Sequence, residues 1–370
     1  MEISICFCGD IMPGGVLPYQ NDYIDKEVLS YMKGFDLRAG TLECAVGTGI
    51  QFDETKMNNT QSIIYARNED IWRLKDLDIN VVTLANNHAF DLGLSGMENT
   101  IRQLNDMNIK YCGAGYNIFE AKRPAVIEHK GRSIAFIGCM IDEPSPVIFH
   151  KATEMDYGVY QVGIEELERD IKKAKQQYNY VFVLPHWGKE HSYIPPSYCK
   201  DYAKRMVDAG ADAVIGSHPH VINPVVKYKG KYVYFSLGNF LFPDKCMQIP
   251  RPMYYPETKE EYLSLKRMWT YPKSISEPIV AVWKPKNRIG MMIEMEVNDK
   301  IKSCYHLTCL TADNVLHRYS SSLVRIRMVF WAMLMHLPKY NIILYFYNHR
   351  YNILRRLVDK LPAFNIPVKL

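Results

Sequence analysis

The chain has 370 residues, of which 48% are hydrophobic and 23% are charged, and its formal net charge is +5. This length suits one large domain, alone or with an appendage, and the composition is that of a globular protein. The mild net charge gives no reason to expect a nucleic-acid partner. The nine cysteines form no Cys-x-x-Cys pair and several lie in apolar runs. We therefore expect free, buried thiols in a reducing, cytoplasmic compartment.

The first predicted strand begins at about Ile3 and is not preceded by a basic and apolar leader. We therefore expect no signal peptide. No apolar run approaches the ~18 residues that a membrane span requires, so we also expect no transmembrane segment.

Apolar strands, polar loops and helices alternate along the first 240 residues, which predicts a layered α/β fold. Helices are predicted at 25–33, 95–107, 164–178 and 196–209, with Ser95 and Glu98 forming a capping box. A hairpin is predicted over 125–139, with a turn at Lys130-Gly131, and a second over 289–311. Short strands are predicted at 62–66, 180–184, 211–215 and 232–236.

Two segments break this rhythm. Residues 243–288 are rich in Pro, Tyr, Lys and Trp and are predicted to form an insertion or lid within a domain that covers 1–312. Residues 313–370 are predicted to form a helical tail. Its basic and aromatic part, 320–357, suits contact with the inner membrane leaflet or with a capsule-synthesis partner. The alternative is that it packs on its own domain.

Chemically reactive side chains follow the ends of the predicted apolar strands. Sites in open α/β sheets lie at the carboxyl ends of strands, so these side chains are expected to meet. Carboxylate, amide and imidazole groups are ligands of divalent cations, and six of them suit two ions with a bridging carboxylate. Singly, each is equally explained by a turn or a buried core position. The predicted metal ligands are Asp10, Glu43, Asn87, His186, His218 and His220.

His218 and His220 end the segment Gly216-Ser217-His218-Pro219-His220. Strand side chains repeat every two residues, so a strand conformation would place both imidazoles on the same side. This pair is weak support for a metal site when taken alone. The similar strand ends elsewhere in the chain strengthen it.

An ordered set of motifs over residues 3–242 resembles the CapA-type capsule-synthesis proteins. These are poly-γ-glutamate synthesis proteins related to calcineurin-like metallophosphatases. The motifs are Gly9-Asp10, Leu42-Glu43, Ala85-Asn86-Asn87-His88 with Asp91 and Gly93, His186-Trp187-Gly188-x-Glu190, Gly216-Ser217-His218-Pro219-His220 and Ser236-Leu237-Gly238-Asn239-Phe240.

The resemblance implies a four-layer αββα sandwich with a C-terminal helical tail and a site for two divalent ions, Mn, Fe or Zn. It implies that Asp10 and His220 hold the first ion, that Glu43 bridges, and that Asn87, His186 and His218 hold the second. It further implies His88 as general acid, supported by Asp91. Residues implied to line the substrate pocket are Asn86, Glu190 and Asn239.

The chain departs from the phosphatase pattern at four places, one of which is Asn86-Asn87-His88-Ala89 in place of Gly-Asn-His-Asp. Met12 stands where an Asp-x-His motif has its histidine, and a thioether is a poor ligand for hard cations. Glu43 replaces an aspartate at the bridging position. Ser217 replaces a histidine, and we expect this change to touch no proposed ligand.

The resulting expectation is a metal-dependent hydrolase of capsule or exopolymer synthesis. It would cleave a phosphoester or an amide or ester bond in an anionic polymer or phosphoester substrate. The alternative is a non-catalytic polymer-binding or assembly subunit that keeps a degenerate metal site. Met12 favours the alternative, and the otherwise intact ligand set favours the hydrolase.

Overall fold

Two β-sheets form the centre of the fold in the computed structural model, which describes residues 2–59, 61–142, 149–249, 251–269, 277–337 and 340–349. Most neighbouring central strands are parallel, and antiparallel strands extend their edges. In spatial order the first sheet contains β22 (Leu316–Tyr319), β21 (Lys302–Leu310), β20 (Ile289–Val297), β1 (Ile3–Ile11), β2 (Leu37–Leu42), β5 (Val81–Thr83) and β6 (Lys110–Cys112), and β16 (Asn239–Leu241) also pairs with β1.

The second sheet is built from the later half of the chain. Its parallel strands follow the order of the sequence from β9 to β12 to β13 to β15, with a helix in each of the first two connections and the strand β14 in the third. In spatial order it contains β11 (Gln161–Val162), β9 (Arg132–Ile141), β12 (Tyr180–His186), β13 (Ala213–Ile215), β15 (Lys231–Tyr234) and β14 (Val225–Tyr228), and β8 (Ala125–His129) also pairs with β9.

Small sheets and helices complete the described structure. The small sheets pair β3 (Ala45–Val46) with β4 (Tyr65–Ala66), β7 (Ala114–Gly115) with β10 (Gly158–Val159), and β19 (Ile279–Val282) with both β17 (Lys245–Met247) and β18 (Lys266–Trp269). The helices are α1 (Lys26–Lys33), α2 (Glu54–Asn58), α3 (Trp72–Asp76), α4 (Gly93–Asp106), α5 (Ile118–Ala121), α6 (Ile164–Gln177), α7 (Ser197–Ala209), α8 (Lys259–Ser264), α9 (Ser322–Met335) and α10 (Tyr340–His349).

Strand β1 shows how the layers are held together. Its side chains alternate, so Phe7 packs between the two sheets and its ring centroid lies 5.2 Å from that of Phe182. Cys6 and Cys8 face the opposite way, into a core with α1, α3 and α4. A third core joins the outer face of the second sheet to α6, α7 and α9. Three cores between four layers confirm the predicted αββα sandwich.

Several predicted elements are confirmed, including both hairpins and the helices over 164–178 and 196–209. The capping box at Ser95 is wrong, because α4 begins at Gly93 with Leu92 at its N-cap and no side-chain cap. The strand over 62–66 shortens to Tyr65–Ala66. All nine cysteines are free, as predicted, although Cys304 is exposed.

The segment 243–288 covers one side of the strand ends. Its described residues form β17, β18, β19 and α8, and the ring of Trp283 lies 5.1 Å from that of His220. The predicted tail continues beyond α10 into residues 350–370, which lie outside the described residues. No helix among the described residues is both long and apolar enough to cross a bilayer.

Candidate metal centre

The structure brings all six predicted ligands together at the carboxyl ends of strands from both sheets. Asp10 is the next-to-last residue of β1 and lies where the register of the pairing with β2 shifts. Glu43 follows β2 directly. His186 ends β12 and is bridged to Ser217, which follows β13. Two groups of ligands share Glu43: the first ion group is Asp10, Glu43 and His220, and the second ion group is Glu43, Asn87, His186 and His218.

The second ion group converges on the Nε2 atom of His186. This atom lies 2.9 Å from Asn87 Oδ1, 3.0 Å from His218 Nδ1 and 3.6 Å from Glu43 Oε1. Adjacent ligands held about 2.1 Å from an octahedral ion are about 3.0 Å apart, so this spacing matches a coordination shell. The opposite ring nitrogen, Nδ1, is 2.9 Å from Ser217 Oγ. The expectation that Ser217 touches no ligand is therefore wrong, because it fixes the orientation of His186.

The first ion group is more open in its spacing. Nε2 of His220 lies 3.5 Å from Glu43 Oε1, and its Nδ1 lies 3.5 Å from Asp10 Oδ2. Nδ1 also lies 2.8 Å from Asn239 Oδ1, while the Asn239 amide donates to the carbonyl oxygen of Asn287. Asn239 was expected to line the substrate pocket. In the structure Asn239 is fully buried, its amide oxygen and amide nitrogen both form hydrogen bonds, and it orients His220.

Asp10 and Glu43 are buried carboxylates whose four oxygens have no hydrogen-bond partner among the described residues. Burial raises the pKa of Asp10 to about 8, and burial together with the charge of Asp10 raises the pKa of Glu43 well above its usual value. Leaving such groups unpaired in a protein interior is costly. A cation bound between them removes this cost, so the residues fit divalent ions at this position.

The three imidazoles near these carboxylates are suited to bind a metal ion in their neutral form. Burial lowers the pKa of His186, His218 and His220, well below the usual value for His186 and His220. A neutral imidazole offers a lone pair to a metal ion. The site therefore combines two carboxylates, one amide and three neutral imidazoles.

The backbone of the histidine loop differs from the predicted strand. His218 and His220 have φ angles of 97° and 53°, in a region that residues other than glycine rarely adopt. The predicted strand conformation of His218 and His220 is therefore wrong, although the two rings do lie close together, with their centroids 6.4 Å apart. Strained backbone of this kind persists where surrounding contacts fix it, often at functional sites.

His88 and Asp91 form a buried pair beside the second ion group. Nδ1 of His88 is 2.6 Å from Asp91 Oδ2, which also accepts the Ile64 backbone N–H at 2.6 Å. The Lys56 ammonium binds Asp91 and the backbone carbonyl oxygen of Asn87. Burial opposes ionisation of Asp91, but Lys56 and His88 hold its pKa below the usual value, whereas burial lowers the pKa of His88.

Asn86, expected in the substrate pocket, instead fixes the loop that carries His88. Its amide donates to the Leu42 carbonyl oxygen at 2.8 Å, and its Oδ1 accepts the His88 backbone N–H at 2.9 Å. Glu190 lies at the partly exposed rim, 3.8 Å from His191. Met12 is fully buried, and its sulfur accepts the Gly14 backbone N–H at 3.3 Å.

Sequence reasoning missed Lys56 and Lys245, since lysines in polar segments usually face solvent. Lys245 is only 1% exposed, and its Nζ lies 4.3 Å from the ring centroid of Trp283 and 4.8 Å from that of Phe242. Burial lowers its pKa to about 8, and the nearby charge of Glu43 opposes this shift. For Lys245, the sequence offered only its position within the predicted lid, and this position does not by itself indicate a buried lysine at the site.

Residues 4–244 match the family described as bacterial capsule synthesis protein PGA_cap. The chain belongs to this family. It is 32% identical over 246 residues to the PGA biosynthesis protein CapA of Bacillus subtilis and 31% identical over 252 residues to the capsule biosynthesis protein CapA of Bacillus anthracis. Each match covers 65% of this chain, and 63% and 60% of those proteins respectively.

Solved structures were also compared with the chain. A hypothetical protein from Thermus thermophilus aligns with a TM-score of 0.44 and 15% identity, over 82% of this chain and 98% of that one. A putative 5'-nucleotidase from Staphylococcus aureus aligns with the same TM-score and 13% identity, over 90% of this chain and 59% of that one.

The PGA_cap match ends at residue 244 and contains all six predicted metal ligands, the His88–Asp91 pair and Lys56. Lys245 is the first residue beyond it. The small sheet of β17, β18 and β19, the strands β20 to β22 and the helices α9 and α10 all lie outside the matched range.

Proposed function

We propose that the chain is a metal-dependent hydrolase of capsule or exopolymer synthesis. The observation that carries this proposal is the convergence of two ligand groups on Glu43, with the oxygens of Asp10 and Glu43 otherwise lacking hydrogen bonds. Family membership supports the biological setting. The substrate is a phosphoester, or an amide or ester bond within an anionic polymer such as poly-γ-glutamate.

The two ion groups would hold Mn, Fe or Zn. Asp10, Glu43 and His220 would hold one ion, and Glu43, Asn87, His186 and His218 would hold the other. Ions in this position supply Lewis-acid polarisation of the scissile phosphoryl or carbonyl group. The protein supplies the orientation of each imidazole, through Ser217 for His186 and Asn239 for His220.

His88 is the proton-transfer group of the proposed reaction. Asp91 accepts the hydrogen bond from Nδ1–H, which leaves Nε2 to exchange a proton with the leaving-group oxygen or nitrogen. Lys56 keeps Asp91 ionised and fixes the adjacent Asn87 carbonyl.

The substrate is proposed to be anionic because cations form part of the site wall. Lys245 is buried beside the first ion group, and Lys286 donates to the carbonyl oxygen of His191 at the rim. A carboxylate or phosphate close to Lys245 would form a charge-assisted hydrogen bond with its ammonium group. Glu190, also at the rim, would disfavour closely spaced negative charges on one side of the entrance.

A non-catalytic polymer-binding subunit is the second candidate function, and Met12 is the observation that favours it. The first ion group has three protein ligands, and the Met12 sulfur contacts the Gly14 N–H. A weakly bound first ion would leave a cationic pocket that binds polymer without cleaving it.

Replacing His88 separates the two functions. The hydrolase proposal expects His88→Gln to lower kcat on an aryl phosphate, or on a γ-glutamyl polymer, by about 10²–10⁴-fold with unchanged metal content. His150→Gln is the matched control, because His150 is likewise bonded to a carboxylate, Asp53, at 2.7 Å. Metal-loaded protein that binds polymer with no turnover of either substrate would establish the binding function instead.

A further inference from the structure

The outward face of the C-terminal helices carries a concentrated apolar surface. Of the fourteen exposed large hydrophobic residues among the described residues, seven fall between positions 323 and 342 and the other seven are scattered from 72 to 269. These seven are 41–62% exposed, and clusters of this kind mark interaction sites in soluble proteins. They are Leu323, Ile326, Val329, Phe330, Met333, Leu337 and Ile342. We call this surface the apolar stripe.

The opposite face of α9 is fixed to the domain. Val324 and Met328 are buried in the core between the sheets, and Trp331 and Met335 are buried against the second sheet. The Tyr340 hydroxyl donates to the Pro195 carbonyl oxygen at 2.6 Å. The apolar stripe is therefore held in place by buried contacts, and turning it inward would break them.

The chain segment that carries the apolar stripe is basic in sequence. The sequence from 314 to 358 contains no Asp or Glu and seven Lys or Arg residues. Arg325 is exposed within the helix. A cavity beside the C-terminal end of α9 is lined by Lys200, Lys204 and Lys227. The Lys200 ammonium donates to the Met335 carbonyl oxygen, so its charge lies directly at the helix end.

We infer that the apolar stripe docks on a bilayer that contains anionic lipids. Large apolar side chains enter the boundary between headgroups and acyl chains, and Arg325 with the lysines beside the end of α9 contacts anionic headgroups. The fourteen residues of α9 span about 21 Å at 1.5 Å per residue, which is shorter than the ~30 Å hydrocarbon core. The helix therefore lies along the membrane surface.

Two other occupants fit the surface less well. A second copy of the chain would bring two acid-free basic segments together, and like charges across an interface are unfavourable. A soluble polyanion would pair with Lys200, Lys204 and Lys227 but would leave the apolar stripe in water. A lipid surface satisfies both features at once.

Vesicle co-sedimentation of the full chain tests this inference, with vesicles of phosphatidylcholine alone or mixed with phosphatidylglycerol. We expect binding to the mixed vesicles, and at least a tenfold loss of binding in Ile326→Ser/Phe330→Ser/Met333→Ser. These side chains are exposed, so the variant should keep the parent melting temperature. The control is Leu263→Ser, a more exposed leucine on α8. Equal binding of the stripe variant and the parent would overturn the inference.

Neutralising the lysines tests the headgroup contacts separately. Lys204→Gln/Lys227→Gln should lower binding to the mixed vesicles by about fivefold per lysine and leave the weak binding to neutral vesicles unchanged. Binding to a soluble polyanion in place of vesicles would overturn the inference. So would a dimer in light scattering that the stripe variant converts to a monomer, because the second copy would then cover the stripe.

Discussion

The two ion groups share Glu43 but differ in completeness. The second has four candidate ligands, and the nearest atoms of Asn87, His218 and Glu43 lie 2.9–3.6 Å from His186 Nε2, while the first has three, with 3.5 Å between ligand atoms. A buried lysine, Lys245, lies on the side of the first group, between Phe242 and Trp283. The difference predicts that the second group would bind an ion more tightly than the first.

Replacing the shared ligand should have the largest effect. Glu43→Gln removes the bridging charge from both groups while keeping the side-chain shape. We expect affinity for both ions to fall by more than the roughly 10–100-fold that follows loss of an outer partner, with activity lost in parallel. Elemental analysis after dialysis and calorimetric titration measure this. Glu190→Gln, a change at the rim, is the control. Retention of one ion in Glu43→Gln would show that the two groups do not share this residue.

Removing the outer partner of each histidine should separate the two groups. Asn239→Leu removes the acceptor that orients His220, and Ser217→Ala removes the hydroxyl that orients His186. Each should weaken its own ion by about 10–100-fold and leave the other nearly unchanged. Titration of metal-free protein with Mn²⁺ resolves the two binding steps. Equal losses of both ions in both variants would contradict the division into two groups.

Removing the buried cation should strengthen the first group. The positive charge of Lys245 acts on Glu43 and opposes a cation there, so Lys245→Met should raise affinity for the first ion by about tenfold or more. The same change should raise KM for an anionic substrate, since the proposed contact is lost. Lys286→Met, at the rim, provides the comparison. Unchanged affinity for both ions would mean that Lys245 does not influence the first group.

The sequence predicted the ligands better than their supports. Each ligand follows an apolar strand, and strand ends converge in α/β folds for topological reasons, so Asp10 and His186 could be placed in advance. The supports come from distant residues: Lys56 is 35 positions from Asp91, and Asn239 is 19 from His220. No local pattern encodes such pairs, because they depend on how loops pack after the sheets form.

The smallest of these effects should be the pH dependence of the stability of metal-free protein, which reports the Asp10 carboxyl of the first group. Asp10 has an ordinary pKa of 3.8, raised by burial to about 8, so the folded state binds the extra proton between these values. Stability of chelator-treated protein should therefore fall as pH rises toward about 8. The lowered pKa values of His186 and His220 give the opposite slope below about 6.5, and that of Lys245 does so above about 8. The interval from about 7 to 8 isolates the carboxyls.

Melting temperatures across that interval provide the measurement. We expect a decrease with pH in the chelated parent, a flatter curve in Asp10→Asn, which cannot ionise, and a flat or rising curve when divalent ions are restored. Glu43, whose pKa is also raised, should leave a residual slope in Asp10→Asn. A chelated parent whose stability rises from pH 7 to 8 would mean that these carboxylates are already paired without an ion. The carboxylate oxygens of Asp10 and Glu43 would then have a partner other than a metal ion.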